Sequence, residues 1–280
     1  MTITRFAPSP TGHLHLGHAY SALFAFEAAQ RDKGTFLLRI EDIDPMRCKP
    51  AYIDDLKEDL RWIGVDWPEP VRRQSEHLDA YRSALEKLQA MAVAYPCFCT
   101  RREVALEAKA SGYAPHMQGP GPEGPLYAGT CRHLSASQRA KRLEREIPNW
   151  RIDVAKAQSL TGPLVWTDRA RGRVEVQLRE FGDVVIARKD VPTSYHLSVT
   201  VDDHLQKVSL VTRGDDLAPA TGIHRLLQAL LGYETPEYHH HPLLKNKDGQ
   251  RLAKRDNALT LRSFRESGKS ADAVRELAGF

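Results

Sequence analysis

A few short segments of the 280-residue chain carry side chains that could do chemistry. The first is RFAPSPTGHLHLGH, residues 5–18. A Pro/Gly turn there joins an apolar strand to a helical pattern. A helix N-terminus offers unpaired N–H groups and partial positive charge, so it attracts phosphate. Gly17 lets the backbone approach a nucleotide closely. His15 and His18 stand three apart on the first turn, where both can face one ligand and offset charge on a phosphate. On the residues alone, the pair reads first as two surface histidines capping a helix, and the spacing does not overturn that reading. The second segment holds Cys97 and Cys99 in a C-x-C, with Cys131 further on. Thiolates at such spacing suit a structural Zn²⁺, which takes four ligands. His133 and His116 are chemically able to complete the set, and three reduced cysteines without metal is the plain alternative. Cys48 has no partner in sequence. The run His239-His240-His241 is in an extended pattern, where neighbours point to alternate sides and chelate poorly together. A Lys/Arg-rich loop spans 245–256.

The elements that must position these groups follow from periodicity. Residues 2–7 and 35–40 read as strands, and 18–33 as a helix stopped by Gly34. Two further helices are expected at 50–64 and 77–93. Strand–helix–strand–helix is the pattern of a parallel sheet covered by helices. Near Tyr95 the pattern changes. The stretch 111–126 holds four Gly and four Pro, too many for a regular element. A charged helix at 136–146 and extended runs at 150–155, 174–178 and 183–188 follow. The α/β pattern resumes at 195–202 and 207–212, with a helix near 219–232. Two short helices end the chain. The expected organisation is an α/β core of residues 1–94 and 181–244, an insertion over 95–180, and a C-terminal segment over 245–280.

Lys plus Arg total 40 against 36 for Asp plus Glu, a net charge of +4, with 41% hydrophobic and 27% charged residues. That balance excludes a disordered or collagen-like chain and permits nucleic-acid binding without arguing for it. Four cysteines in a chain of this length make a poor disulfide framework. No apolar run is long enough to cross a bilayer, and MTITRFAPSP has no signal-peptide core. A cytoplasmic protein with no membrane partner is expected.

The segment PSPTGHLHLGH resembles the HIGH signature of class I aminoacyl-tRNA synthetases, with His15-Leu16-Gly17-His18 as the tetrapeptide. RFAPSPTG, LLRIEDIDP (37–45), SYHLSVTVDDH (194–204) and VTRGDDL (211–217) resemble the glutamyl-tRNA synthetases in particular, and matching blocks run from residue 5 to about 260. The resemblance implies a Rossmann-type catalytic core in which His15, Gly17, His18 and Lys254 meet ATP. Lys254 stands at the second lysine of the KMSKS signature, here Arg251-Leu252-Ala253-Lys254-Arg255; Arg251 and Ala253 depart from it. A glutamate pocket of Arg5, Phe6, Ala7, Pro8, Ser9, Glu41, Tyr195 and Arg213 is likewise implied. In it Glu41 takes the α-ammonium and Arg213 and Arg5 take carboxylates, Arg213 at the side-chain end. An Arg at 213 favours glutamate over neutral glutamine. Without a ligand, Glu41 could pair with Arg39 or Arg47, and Arg213 with Asp215 or Asp216. Val199 stands where the family often has Asn.

The anticodon-binding domain that follows the core of full-length glutamyl-tRNA synthetases is not expected here. The layout, including C-x-C…Y-x-x-x-C, is most similar to the short bacterial glutamyl-Q tRNA(Asp) synthetases. That resemblance makes Tyr127 the fourth ligand of one structural zinc with Cys97, Cys99 and Cys131. It implies ligase chemistry: ATP with Mg²⁺ activates L-glutamate, and the glutamyl group passes to queuosine in the anticodon loop of tRNA(Asp). A truncated glutamyl-tRNA synthetase charging a tRNA 3′ end is the alternative. A monomer is expected.

Overall fold

The computed structural model of the protein describes residues 1–110, 126–244 and 259–280. Lys254, the other KMSKS-like residues and His116 lie outside them. The chain opens with β1 (Ile3–Phe6), α1 (Leu16–Arg31), β2 (Thr35–Ile40), α2 (Pro50–Trp62), β3 (Arg72–Arg73) and α3 (Leu78–Ala90). β2 pairs parallel with β1, Ile3 opposite Thr35, and with β3, Ile40 opposite Arg73. Its sequence TFLLRI is largely buried, as a covered parallel strand requires. Gly34 allows the tight entry into β2: a Cβ there would meet the Thr2 carbonyl oxygen at 2.0 Å. Pro50 opens α2 at a position whose N–H has no helical partner.

A second sheet is β4 (Ala94–Cys97), β5 (Asn149–Ile152) and β8 (Val185–Ala187), all antiparallel. Around it run α4 (Arg101–Ala110), α5 (Ala136–Leu143) and α6 (Val154–Thr161). Ser135 and Gln138 form a capping box on α5, and the Asp153 carboxylate accepts the Lys156 N–H to cap α6. α6 was not expected; residues 150–155 read as one extended run, but the Asp153 cap turns the chain after Ile152.

A third sheet has the order β7-β6-β10-β9. β9 (Leu210–Gly214) and β10 (Glu237–His241) are parallel, with Arg213 opposite His240. β6 (Val165–Asp168) runs parallel on the other side of β10, and β7 (Gly172–Glu175) pairs antiparallel with β6. So within 95–180, β4 and β5 pair with β8, whereas β6 and β7 share a sheet with β9 and β10. β1 lies beside β9, tied by the Ser209 N–H to the Ile3 carbonyl at 3.0 Å and by the Ile3 N–H to Ser209 Oγ at 2.9 Å. From this seam the chain fans out in two directions, the crevice where an open α/β sheet binds ligands.

Two helices back the seam, α7 (Tyr195–Leu205) and α8 (Thr221–Leu231). In the 195–202 run apolar Leu197, Val199 and Val201 alternate with polar residues as in a strand, but the run forms the start of α7. Nearly every residue of α7 is buried, so it lacks the polar face that marks a surface helix. The chain ends in α9 (Leu261–Glu266) and α10 (Ala271–Leu277). Leu261, Phe264, Val274 and Ala278 join the core formed by α1, β1, β2 and α2. A second core gathers residues of α3, α6, α7, α8 and β8. Among the described residues, no helix is long and apolar enough to cross a membrane.

Leu261 is fully buried, and its N–H donates to the Leu14 carbonyl at 2.8 Å. Leu261→Ala is expected to cost about 2–5 kcal/mol in urea unfolding; a loss below about 1 kcal/mol would mean that the C-terminal helices contribute little to this core.

Candidate functional site

A cavity of about 420 Å³ opens at the seam between β1 and β9. Its lining includes Arg5, Phe6 and Ala7 from the end of β1, His15, Gly17 and His18 from the start of α1, and Glu41 just after β2. Tyr195 and Val199 from α7 and Arg213 from β9 complete the wall. Leu243 and Leu244 line it as well. Thr260 bridges to His15. Described residues on either side of 245–258 therefore adjoin the cavity. Pro8 and Ser9 are in the turn and outside the cavity lining; their carbonyls accept the N–H groups of Glu41 and Thr11 at 3.0 and 2.8 Å.

His15 and His18 form a reciprocal cap on α1. His15 Nδ1 accepts the Gly17 N–H at 3.1 Å, and His18 Nδ1 accepts the His15 N–H at 3.1 Å. A neutral ring whose Nδ1 accepts carries its proton on Nε2. Both imidazoles are thus Nε2–H donors, their rings 3.8 Å apart at the cavity wall. The capping reading and the ligand-facing reading hold at once. A Cβ at Gly17 would meet His15 Cε1 at 3.0 Å, so the close approach there is to the His15 ring.

The two guanidiniums differ in how they are neutralised. Arg5 Nε donates to Asp203 at 3.0 Å and its Nη1 to the Thr212 carbonyl at 3.1 Å. Asp203 also takes Arg39 at 2.8 Å. Burial raises the Asp203 pKa, but Arg5 and Arg39 outweigh it and hold the carboxyl below its ordinary value. Arg213 has no such partner. Among the described residues no carboxylate pairs with it. Its Nε donates to His240 Nε2 at 3.2 Å, its Nη1 to Tyr195 Oη at 3.2 Å and His224 Nδ1 at 3.1 Å, and its Nη2 to Thr221 Oγ1 at 2.5 Å. Burial, with the adjacent Arg213 charge, pushes the His224 pKa well below 6.5 and that of His240 down to about 4. Arg213 is 6% exposed, so an uncompensated cation sits in this wall. Asp215, one of its sequence neighbours, pairs with Arg171 instead.

Glu41 is the opposite charge in the cavity. Its Oε1 lies 3.6 Å from Arg39 Nη2 but accepts no hydrogen bond. Arg47 pairs with Asp44 rather than with Glu41. Burial raises the Glu41 pKa to about 7, against the pull of Arg39 and Arg5. A buried, unsatisfied acceptor at the wall of a cavity is suited to a cationic donor.

Some lining residues carried no sequence signal. Tyr20 and Ser21 read as ordinary helix positions. Behind the lining, His196 and His224 are buried polar residues in apolar runs, which is the available hint, and His240 is the centre of the histidine triplet. The histidine triplet alternates as an extended chain should. His239 and His241 both pack on Phe24, at 4.8 and 5.0 Å, while His240 faces Arg213.

A separate cluster lies beyond β4. The Sγ atoms of Cys97, Cys99 and Cys131 are within 4.8 Å of one another, with Cys99 and Cys131 at 3.5 Å. Thiolates on one tetrahedral zinc sit about 3.8 Å apart, so the spacing fits a metal ion. Tyr127 Oη is 3.4 Å from Cys99 Sγ and accepts the Cys131 N–H at 2.8 Å; His133 does not join the cluster. The Phe98 N–H and Arg151 Nε donate to Cys131 and Cys97 sulfurs, which suits thiolates. Burial pushes the Cys99 thiol up to about 12 and raises the Tyr127 phenol, a cost that a divalent cation would reverse. Cys131 is raised by burial too, but hydrogen bonds from Tyr127 and Phe98 lower it overall. Cys48 stands apart with its thiol 3.9 Å from the Glu41 carbonyl.

Comparison with known proteins gives a concordant picture. The model for "tRNA synthetases class I (E and Q), catalytic domain" matches residues 1–277. The chain is 47% identical to a glutamyl-Q tRNA(Asp) synthetase of Rhodobacter capsulatus, covering 99% of each. It is 39% identical to glutamate–tRNA ligase 2 of Syntrophus aciditrophicus, covering 96% of this chain and 55% of that one. Among solved structures, a glutamate tRNA ligase from Elizabethkingia meningosepticum in complex with its amino acid superposes with a TM-score of 0.78 at 28% identity. That match covers 99% of this chain and 60% of the ligase. The chain spans little more than half the length of such ligases.

The Glu41 pKa, raised above its unfolded value, has a definite sign. Its stabilising contribution is full below about pH 4.5 and is lost as pH rises through about 7. Glu41→Gln is therefore expected to gain stability relative to the native chain between pH 5 and pH 8 in urea melts without ligand; a difference that stays flat or shrinks would show that Glu41 titrates normally.

Proposed function

The chain belongs to the class I tRNA synthetases for glutamate and glutamine, through their catalytic domain, and on that premise we propose that it activates L-glutamate with ATP and passes the glutamyl group to queuosine in the anticodon loop of tRNA(Asp). It is a ligase-type enzyme. The observation that carries the glutamate reading is the charge arrangement of the cavity. Among the described residues, a buried guanidinium with only neutral acceptors, Arg213, shares it with a buried carboxylate oxygen that has no donor, Glu41. An amino acid with an acidic side chain supplies what each lacks. A neutral amide at the same place would leave the Arg213 charge uncompensated.

In the first step a glutamate α-carboxylate oxygen attacks the α-phosphorus of ATP. The bond to the bridging oxygen breaks, and pyrophosphate leaves with the electron pair. Mg²⁺ enters with ATP as part of the substrate. The Nε2–H groups of His15 and His18 and the N-terminus of α1 offset the charge that builds on the phosphate. Lys254 is assigned the same task by its place in the KMSKS-like sequence. Arg5 and Arg213 hold carboxylates and Glu41 the ammonium. In the second step a queuosine hydroxyl attacks the activated carbonyl, AMP departs, and the hydroxyl proton is lost. No side-chain nucleophile is needed, so positioning and electrostatics carry the reaction. The zinc ligands would be Cys97, Cys99, Cys131 and Tyr127. A zinc ion held there would cross-link β4 to the 127–131 turn and would take no part in the chemistry.

The acceptor is supported by the 47% identity to a glutamyl-Q tRNA(Asp) synthetase over nearly all of both chains. The test is transfer of radiolabelled glutamate. Label is expected in the anticodon loop of queuosine-containing tRNA(Asp) and absent with tRNA lacking queuosine; label on the 3′-terminal adenosine would replace this reading with charging of a tRNA end. Metal analysis is expected to find about one zinc per chain, lost for the most part in Cys97→Ser. A native protein that is active and metal-free would remove zinc from the account.

A further inference from the structure

Behind Arg213 a polar chain runs from the cavity wall into the third sheet. Arg213 can only donate, so the His240 Nε2 that meets its Nε at 3.2 Å must accept. The His240 proton is then on Nδ1, which lies 2.7 Å from Asp168 Oδ2. That oxygen also accepts the His240 backbone N–H at 3.2 Å. Asp168 Oδ1 accepts the N–H groups of Ala170 and Arg171 at 2.8 and 3.2 Å. Both side chains are without solvent exposure. Thr221 Oγ1 is 3.2 Å from the same His240 Nε2. It already takes Arg213 Nη2, and its own hydroxyl can share the lone pair. The opposite tautomer would set an N–H against Arg213 and a lone pair against a carboxylate.

We infer that Asp168 is a positioning residue for substrate recognition. It fixes His240 as the Nδ1–H tautomer, which makes the ring an acceptor for Arg213 and sets the guanidinium where an anionic substrate end meets it. This rests on Arg213 receiving the substrate's side-chain carboxylate. The register of the sheet makes the arrangement possible: Arg213 is opposite His240 across β9 and β10, and Asp168 reaches the same strand from β6. An imidazolium would defeat the device by presenting N–H on both sides. His240 stays neutral near pH 7, since burial and the Arg213 charge lower its pKa.

Asp168→Asn tests it. The amide nitrogen must face either the two N–H groups of Ala170 and Arg171 or the His240 side. The second costs one clash at the carboxamide, with the His240 backbone N–H, instead of two; there it donates to His240 Nδ1 and drives the proton to Nε2, where Thr221 Oγ1 can accept it and Arg213 loses its acceptor. Long-range ¹H–¹⁵N spectra of ¹⁵N-histidine protein are expected to show His240 protonated at Nδ1 in the native chain and at Nε2 in the variant. In glutamate-dependent ATP–pyrophosphate exchange, the KM for glutamate is expected to rise at least about tenfold, with kcat and the KM for ATP within about twofold. Tenfold corresponds to about 1.4 kcal/mol. His240→Gln offers an amide oxygen near the Nε2 position and has no tautomer to fix, so in that background Asp168→Asn should change the glutamate KM less than about threefold. An unchanged glutamate KM in folded Asp168→Asn overturns the proposal. So does a native His240 protonated at Nε2, a result available even if the variant fails to fold. Equal effects of Asp168→Asn in both backgrounds would overturn it as well, leaving only general support of the fold. Loss of exchange with glutamate in the native chain, tautomer as expected, would instead sink the glutamate reading and with it this proposal's premise.

Discussion

A guanidinium taken out of water must be matched by something, and among the described residues Arg213 is matched only by neutral acceptors. That constraint organises half the protein. β9 carries the residue, β10 and α8 supply His240, Thr221 and His224, and α7 supplies Tyr195. Each can accept without bringing a negative charge. A carboxylate in any of these places would satisfy Arg213 permanently and leave no reason for an anionic ligand to enter. The site is kept short of one charge, and the surrounding elements are arranged so that the shortage persists.

On the other side of the cavity the charges are already paired. Arg5, Arg39 and Arg72 meet Asp202, Asp203 and Glu41. Only Glu41 keeps an oxygen without a hydrogen bond. α7 links the two regions: Tyr195 in its first turn touches Arg213, and Asp202 and Asp203 near its end hold the arginines of β1, β2 and β3. A helix with such cargo has to be buried all round. This is why its alternation of apolar and polar residues misleads as a strand signal.

The half of the fold with clean periodicity was legible: β1, α1, β2, α2 and α3 follow their patterns within a few residues. The cavity residues near the HIGH-like turn were legible through the resemblance of RFAPSPTGHLHLGH to a family signature, since on its residues alone the His pair reads as a helix cap. α6 was missed because one Asp cap decides between strand and helix. β6 was missed because Val165–Asp168 is too short to show a period, and its partner β10 is far along the chain. The Arg213 relay was invisible for the same reason. Asp168, His224 and His240 are ordinary residues until the strands meet, and only the register of β6, β10 and β9 gives them a common task.

The buried aspartates show how so discontinuous a chain is held together. A carboxylate has about four acceptor sites, so one residue can bind several segments. Asp202 takes Arg72, Gln74 and Tyr81 from segments more than 100 residues away. Asp183 takes Tyr95 Oη at 2.5 Å, Arg132 at 3.0 Å and the Val154 N–H at 3.1 Å, tying the thiol cluster to β4 and the start of α6. Asp42 takes Arg73 and Ser75. Asp168 does the same for β6 and β10. Removing one partner of such a set leaves the others unsatisfied in a dry interior, at about 3–5 kcal/mol when a charge is stranded. An apolar contact would bury as much surface but would tolerate sliding. A saturated carboxylate does not, so each strand arrives at the cavity in one register. At the cavity wall that saturation stops short: Glu41 keeps an oxygen without a donor, and among the described residues Arg213 has no carboxylate.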